Sequence, residues 1–345
     1  MTIPPPVRRA TILTLALLLL AGVLLCALVH LRMPWIAGDY LASWGVRARG
    51  LARTGDLLSL SRMTLPGPAG AYPPLWPLLL AGVARLTGGY DELRLTALFP
   101  LLCLLAALFA IQSTSAPLPG RLLAGAAVAL LPFYRTPLYG GYAEALLVVF
   151  LLAAFSEVDR LATDRIAVLR MSAFLVLATL TKREGFLVAL FFVAALAFAR
   201  RFREAAVAGA ATVILGVFPW SLFFHLAKIP LGRDDFQLAA FDLAKLGLVG
   251  GYLLEHVLVP KGLWLAGAIA ILAFSPVTRR RRRAVLLSAL AYVALLFLSM
   301  AFTLQPPVWH AQWSWDRLVL VPIVFLIPVL AECVSEQFSP PSEPA

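Results

Sequence analysis

Apolar runs close to twenty residues long recur from Thr11 to Cys333, and they leave this chain few ways to fold. About 20 predominantly apolar residues are what a helix needs to cross the hydrocarbon core of a bilayer. The runs are continuously apolar, whereas a membrane β-barrel alternates polar and apolar residues in short strands. Hydrophobic residues fill 61% of the 345 positions and charged ones 14%, with a mean hydropathy of +0.88. A soluble domain carries about 25% charged residues. The sequence therefore predicts an all-α polytopic membrane protein.

The net charge of +11 raises the question of nucleic acid. Its distribution answers it. Arg8 and Arg9, then Arg200, Arg201 and Arg203, then Arg279 to Arg283 lie in short gaps between apolar runs. That is the positive-inside pattern, which sets orientation in a membrane. The expected partners are membrane lipids, and no nucleic acid is expected. Cys26, Cys103 and Cys333 all lie in apolar runs and form neither a disulfide framework nor a metal-ligand spacing. The histidines, His30, His225, His256 and His310, form no i, i+4 ligand pair and read as interfacial.

Ten spans are expected: 11–31, 93–111, 121–135, 142–157, 166–181, 185–200, 204–226, 261–276, 284–304 and 317–334. The stretch 73–88 is also apolar but opens on Pro73, Pro74 and Pro77. With all three arginine clusters cytoplasmic, an even number of crossings must separate them, so one apolar segment between the first two cannot cross. The proline-bearing 73–88 is expected to be re-entrant or interfacial. Residues 32–72, 136–141, 182–184, 227–260 and 305–316 then face the non-cytoplasmic side. Within 39–53, Tyr40, Leu41, Trp44, Val46 and Leu51 mark an amphipathic helix. Trp44 and Arg47 suit a helix lying in the interface.

Four polar groups on that outer side need a reason. Asp39 follows the first span and reads either as a helix cap or as a functional acid. Glu144 sits just inside an apolar run, where a carboxylate is costly unless paired or hydrated. Its plain structural explanation is an ion pair with Arg135 or another arginine. Lys182, Arg183 and Glu184 join two spans through Gly185, on the side where positive charge is disfavoured. Such cations point to an anionic partner such as a phosphate, or to simple pairing with Glu184. Asp316 and Arg317 open the last span behind Trp309, Trp313 and Trp315, which an interfacial belt explains. Two carboxylates and several cations at one membrane face suit chemistry on a lipid-linked phosphate. A carboxylate can deprotonate an acceptor hydroxyl, and cations can hold the phosphate.

These stretches resemble the GT-C membrane glycosyltransferases, close to the bacterial family 39 proteins related to protein mannosyltransferases and aminoarabinose transferases. The likeness rests on Asp39 in "AGDYLASW", on "YPPLWPLLLAG" from Tyr72, on Glu144 in "YGGYAEALL", on the Lys182-Arg183-Glu184-Gly185 turn, and on Asp316-Arg317. A lone acid at Asp39, where some members carry an acid pair, and Glu144, where Asp is commoner, depart from the pattern.

The resemblance implies a GT-C-like bundle of about ten transmembrane helices with amphipathic outer-loop helices. It implies one integral membrane domain: a cytoplasmic tail 1–10, a GT-C-like module 11–200 with outer loop 32–72, variable helices 201–334 and a disordered tail 335–345. It further implies inverting transfer of a sugar from a polyprenyl-phosphate-linked donor to a lipid, glycan or protein acceptor. Asp39 and Glu144 would be catalytic. Tyr40, Arg47, Tyr72, Lys182, Arg183, Glu184, Asp316 and Arg317 would bind substrate. A divalent metal, held by Asp39 and Glu144, is left open. A lipid-linked glycan transporter and an O-antigen polymerase-like or ligase-like protein are the alternatives. A transporter would place its charges along a path at mid-membrane depth.

Overall fold

The computed structural model describes residues 5–32, 40–62, 72–228, 238–258 and 280–337, and no strand occurs among them. The helices run in order α1 (Pro5–Arg32), a π-turn at Tyr40–Trp44 leading into α2 (Gly45–Thr54), α3 (Ser59–Arg62), α4 (Leu75–Leu86), α5 (Glu92–Leu95) and α6 (Leu98–Gln112). Next come α7 (Leu118–Leu130), α8 (Pro132–Gly140), α9 (Glu144–Ser156), α10 (Ala167–Thr181) and α11 (Arg183–Phe198). α12 (Phe202–Ala211) continues through a π-turn at Thr212–Val217 into α13 (Phe218–Leu226). α14 (Ala244–Leu253), α15 (Arg280–Ser299), α16 (Pro307–Leu318) and α17 (Leu320–Gln337) complete the described chain.

Among the described residues, Arg9–Arg32, Glu92–Gln112 and Phe202–Leu226 are long and apolar enough to cross a bilayer. A fourth candidate is the pair Pro307–Trp315 and Leu320–Ser335, bent by 40°. On α1, Leu17, Leu20, Leu24 and Leu28 are all exposed, a face that only lipid can cover without cost. The chain is an integral membrane protein.

The chain forms two compact units. In the unit made of residues 23–109 and 131–234, α10 packs against α9, α11 and α12. Ala154, Met171, Leu175, Ala189, Leu196, Ala205 and Ala208 form the seam. Small residues dominate it because lipid tails compete with apolar side chains, so close backbone approach must supply the attraction. Every residue of α9 except Phe150 is buried. In the same unit α2 lies on α4 around Leu51, Leu60 and Ala81. In the other unit, residues 1–22, 110–130 and 235–345, α7 packs along α17. There Glu332 accepts hydrogen bonds from the Ser115 amide (2.8 Å) and hydroxyl (3.2 Å).

Several boundaries differ from the sequence expectation. The run 121–135 is broken: Leu131 is extended (φ −61, ψ 116), Pro132 starts α8, and 136–140 is helix rather than loop. Proline fixes its own φ and pushes the preceding residue out of the helical region. The expected loop 227–260 contains α14, whose glycines disguise it; Gly250 lies against Phe297 of α15. Pro306 and Pro307 begin α16 inside the expected loop 305–316, because a proline at the first helical position is preorganised for it. The expected span 261–276 lies outside the described residues.

The prolines of 73–88 do not break α4. Pro73 and Pro74 precede it and Pro77 sits in its first turn, where amide hydrogens have no helical acceptor anyway. α4 has 12 residues and so spans about 18 Å, less than a ~30 Å hydrocarbon core. Length does not set it apart, since α9 has 13 residues and α10 has 15. Topology is therefore tested by labelling. Cys26, Cys103 and Cys333 are buried, so background reaction is low. A membrane-impermeant maleimide should modify Thr87→Cys from the non-cytoplasmic side and Leu118→Cys only from the cytoplasm. Finding Thr87→Cys cytoplasmic would overturn the expected orientation.

Candidate functional site

Lys182 is the one residue between α10 and α11, held extended at φ −157 and ψ 152. The turn is tight: a Cβ on Gly185 would stand 2.1 Å from the Ala178 carbonyl oxygen, so only glycine fits. Lys182 points inward. Its Nζ lies 2.8 Å from Glu144 Oε1 and 2.8 Å from Glu184 Oε1, with Lys182 and Glu144 both buried. Glu144 is the first residue of α9, where the positive end of the helix dipole also favours a carboxylate. Its partner is thus Lys182 rather than Arg135 or another arginine. The pairing of Lys182 with Glu184, one of the two readings of the turn, is also present. Two acids share one ammonium, so Lys182 has no surplus charge for a phosphate.

Arg183, next in sequence, is exposed and turns the other way. Its guanidinium lies 5.7 Å from the centre of the Tyr72 ring. Tyr72 packs at 5.1 Å against Trp44, and Arg47 lies 5.8 Å from the Trp44 ring. Arg47 Nη1 donates to the Tyr72 carbonyl at 3.5 Å. Arg47 is 1% exposed, turned into the protein. Burial pushes its guanidinium down to about 10, which still leaves it charged at neutral pH. Tyr40 is buried beside this cluster's flank: its hydroxyl is 2.8 Å from that of Tyr90. Its ring fills space left by Gly45 and Gly141, and Gly141 is left-handed at φ 74.

A cavity of about 670 Å³ opens beside Arg183, lined also by Pro73, Thr179, Phe186, Trp220, Phe224 and Lys228. Its walls are largely apolar and aromatic. Arg183, Lys228 and His225 supply cationic or ionisable groups. The buried indole N–H of Trp220 has no hydrogen-bond partner among the described residues. Thus His225, read from the sequence as interfacial, borders a cavity, and Trp220, Phe224 and Lys228 escaped notice altogether. Their signal was helical spacing: Val217, Trp220, Ser221, Phe224, His225 and Lys228 recur every three or four residues on one face.

The structure thus gathers Glu144, Lys182 and Glu184 into an ion cluster and Arg47, Tyr72 and Arg183 into a cation–aromatic group, the two joined through the Lys182–Arg183 backbone. Asp39 lies outside the described residues, as does the Asp316 side chain. Arg317 belongs to the other unit, where its Nε donates to the Trp313 carbonyl at 3.2 Å within α16. Among the described residues no three His, Cys, Asp or Glu side chains converge as a metal site. Of the two expected metal ligands, Glu144 is engaged by Lys182.

No protein-family model matches the chain, and no curated protein matches it in sequence. Solved structures do. ArnT from Cupriavidus metallidurans in the apo state aligns with a TM-score of 0.63 at 17% identity, covering 94% of this chain and 60% of that one. The same protein bound to undecaprenyl phosphate gives 0.58 at 17% identity, with the same coverage. The fold is that of ArnT. That fold agrees with the all-helical membrane protein that the sequence predicted, and the chain spans 60% of ArnT's length.

The ion cluster yields a stability prediction. Lys182→Met strands two carboxylates, one of them deeply buried, and should cost about 3–5 kcal/mol, the usual loss when one partner of a buried pair is removed. The double variant Glu144→Gln, Lys182→Met removes the buried charge with its partner and should recover most of that loss. Thermal unfolding in detergent, followed by tryptophan fluorescence, measures both. Equal melting of wild type and Lys182→Met would show that the pair contributes nothing.

Proposed function

We propose that this protein is a glycosyltransferase. In this reading it moves a hexose-type sugar from a polyprenyl-phosphate carrier to a lipid, glycan or protein acceptor at the non-cytoplasmic face of a bacterial inner membrane. The observation that carries the reading is the cavity: an apolar, aromatic slot with cations beside it, in a chain with the fold of ArnT. ArnT has been crystallised bound to undecaprenyl phosphate. A slot of about 670 Å³ suits a lipid headgroup and the first part of its chain, with the remaining tail in the bilayer.

Arg183 and Lys228 hold the phosphate, and the Trp220 N–H supplies a neutral donor. Such charge-assisted contacts grow stronger as negative charge collects on the leaving phosphate. Asp39 takes the proton of the acceptor hydroxyl. The hydroxyl oxygen then bonds to the sugar's anomeric carbon from the face opposite the phosphate, and the bond to the phosphate oxygen breaks, which inverts the anomeric centre. Polyprenyl phosphate leaves with the bonding electrons. Glu144 and Glu184, fixed by Lys182, keep the turn that presents Arg183. Residues 11–200 supply the base, the acid cluster and Arg183, and α13 closes the slot.

Two variants of the purified protein in lipid test this. Asp39→Asn should lower sugar transfer by about 10²–10⁴-fold while leaving donor binding intact. Arg183→Gln should raise the donor dissociation constant about 10- to 100-fold, the worth of one hydrogen bond to a charged group. Unchanged transfer by Asp39→Asn would remove Asp39 as the base. Unchanged donor affinity in Arg183→Gln would remove the cavity as the donor site.

A further inference from the structure

A buried arginine requires an anion, and around Arg47 the described residues provide none. Arg47 is 1% exposed and Ser43, one turn earlier, is 6% exposed. Arg47 Nε and Nη2 and the Ser43 hydroxyl have no hydrogen-bond partner among the described residues. Glu92 pairs with Arg49, Glu144 and Glu184 with Lys182, and Glu157 with Arg160 and Arg170, so none of these carboxylates of the same unit serves Arg47. Arg47's one hydrogen bond, to the Tyr72 carbonyl, is long at 3.5 Å and uses Nη1. The donors left over are not scattered. Nε–H and one Nη2–H leave the same edge of a guanidinium in parallel, the edge that grips two oxygens of a phosphate or carboxylate at once.

We propose that Arg47 and Ser43 form a second anion site, separate from the Arg183 cavity, that binds a substrate oxyanion through the Nε/Nη2 edge with the Ser43 hydroxyl as a third contact. The Trp44 ring holds the guanidinium from one face and the Tyr72 carbonyl fixes its far nitrogen, so the binding edge is preorganised. The oxyanion is the donor's phosphate or an acidic group of the acceptor. Only this choice of source rests on the glycosyl-transfer reading; the site itself rests on the buried donors.

The experiment follows thermal unfolding of the full-length protein in lipid nanodiscs with undecaprenyl phosphate and, separately, with inorganic phosphate. Wild type, Arg47→Met, Ser43→Ala and Arg183→Gln are compared. Without ligand, Arg47→Met should melt no lower than wild type, because methionine retains the stem and removes an uncompensated charge. It should lose the upward shift produced by one probe, and that probe names the source of the anion. Ser43→Ala should halve that shift or more. Should Arg47→Met not fold, Arg47→Lys carries the same test, since an ammonium cannot present two parallel N–H groups. The proposal is overturned if the Arg47 variant keeps every shift that wild type shows, or if neither probe shifts wild type. A lipid shift lost in Arg183→Gln but kept in Arg47→Met, with any phosphate shift also kept, leaves the donor cavity standing and removes this site. A phosphate shift that depends on Arg47, with no response to the lipid, does the reverse.

Discussion

A single ammonium group orders this site. Lys182 joins the first residue of α9 to the first turn of α11 while itself ending α10, so three helices meet on one charge. In a poorly polarisable interior an unpaired carboxylate would be intolerable, and α9 is buried almost all round. The pair therefore does more than neutralise Glu144: it fixes the depth and rotation at which α9 stands against the α10–α11 turn. Because Lys182 is extended, its neighbour Arg183 leaves on the opposite side of the chain. One cation is spent inward on structure and the next is delivered outward to the cavity, a division that requires both residues and the glycine behind them.

Aromatic rings make a crowded set of cations tolerable. Tyr72 lies under Arg183 and beside Trp44, and Trp44 lies against Arg47. Each ring presents electron density to a guanidinium and keeps the two cationic groups apart. Tyr72 belongs to the stretch before α4, and the prolines that follow keep it in place without interrupting that helix. Sequence-distant parts thus meet through ring faces rather than through carboxylates, leaving guanidinium N–H groups for other work.

Much of this was visible in the sequence, for a physical reason: lipid imposes a harsh test on every polar residue. Glu144 and the Lys182–Glu184 turn stood out because they broke apolar runs, and α1, α10 and α11 lie close to where those runs predicted. The hidden parts are those the lipid test does not reach. α14 carries three glycines in ten residues, which reads as loop until Phe297 is seen beside Gly250. The inward turn of Arg47 depends on Tyr72, twenty-five residues away, and an amphipathic pattern alone assigns a charge to the outside. The cavity was missed because Trp220, Phe224 and His225 look like any interfacial belt; only the wall opposite, from Pro73, Thr179 and Arg183, makes them a lining.

The π-turn at Thr212–Val217 bears on how such a cavity could change over evolutionary time. A π-turn holds one residue more than the α-helical turn it replaces, and everything beyond it is rotated by about 100° relative to an uninterrupted helix. Trp220, Phe224 and Lys228 all lie beyond it. Winding those six positions as regular α-helix at unchanged length would swing a different row of side chains toward the slot, whereas a one-codon deletion there would keep the present row facing it. Loss of the π-turn alone would thereby re-line the cavity, with the ion cluster and its glycine turn untouched.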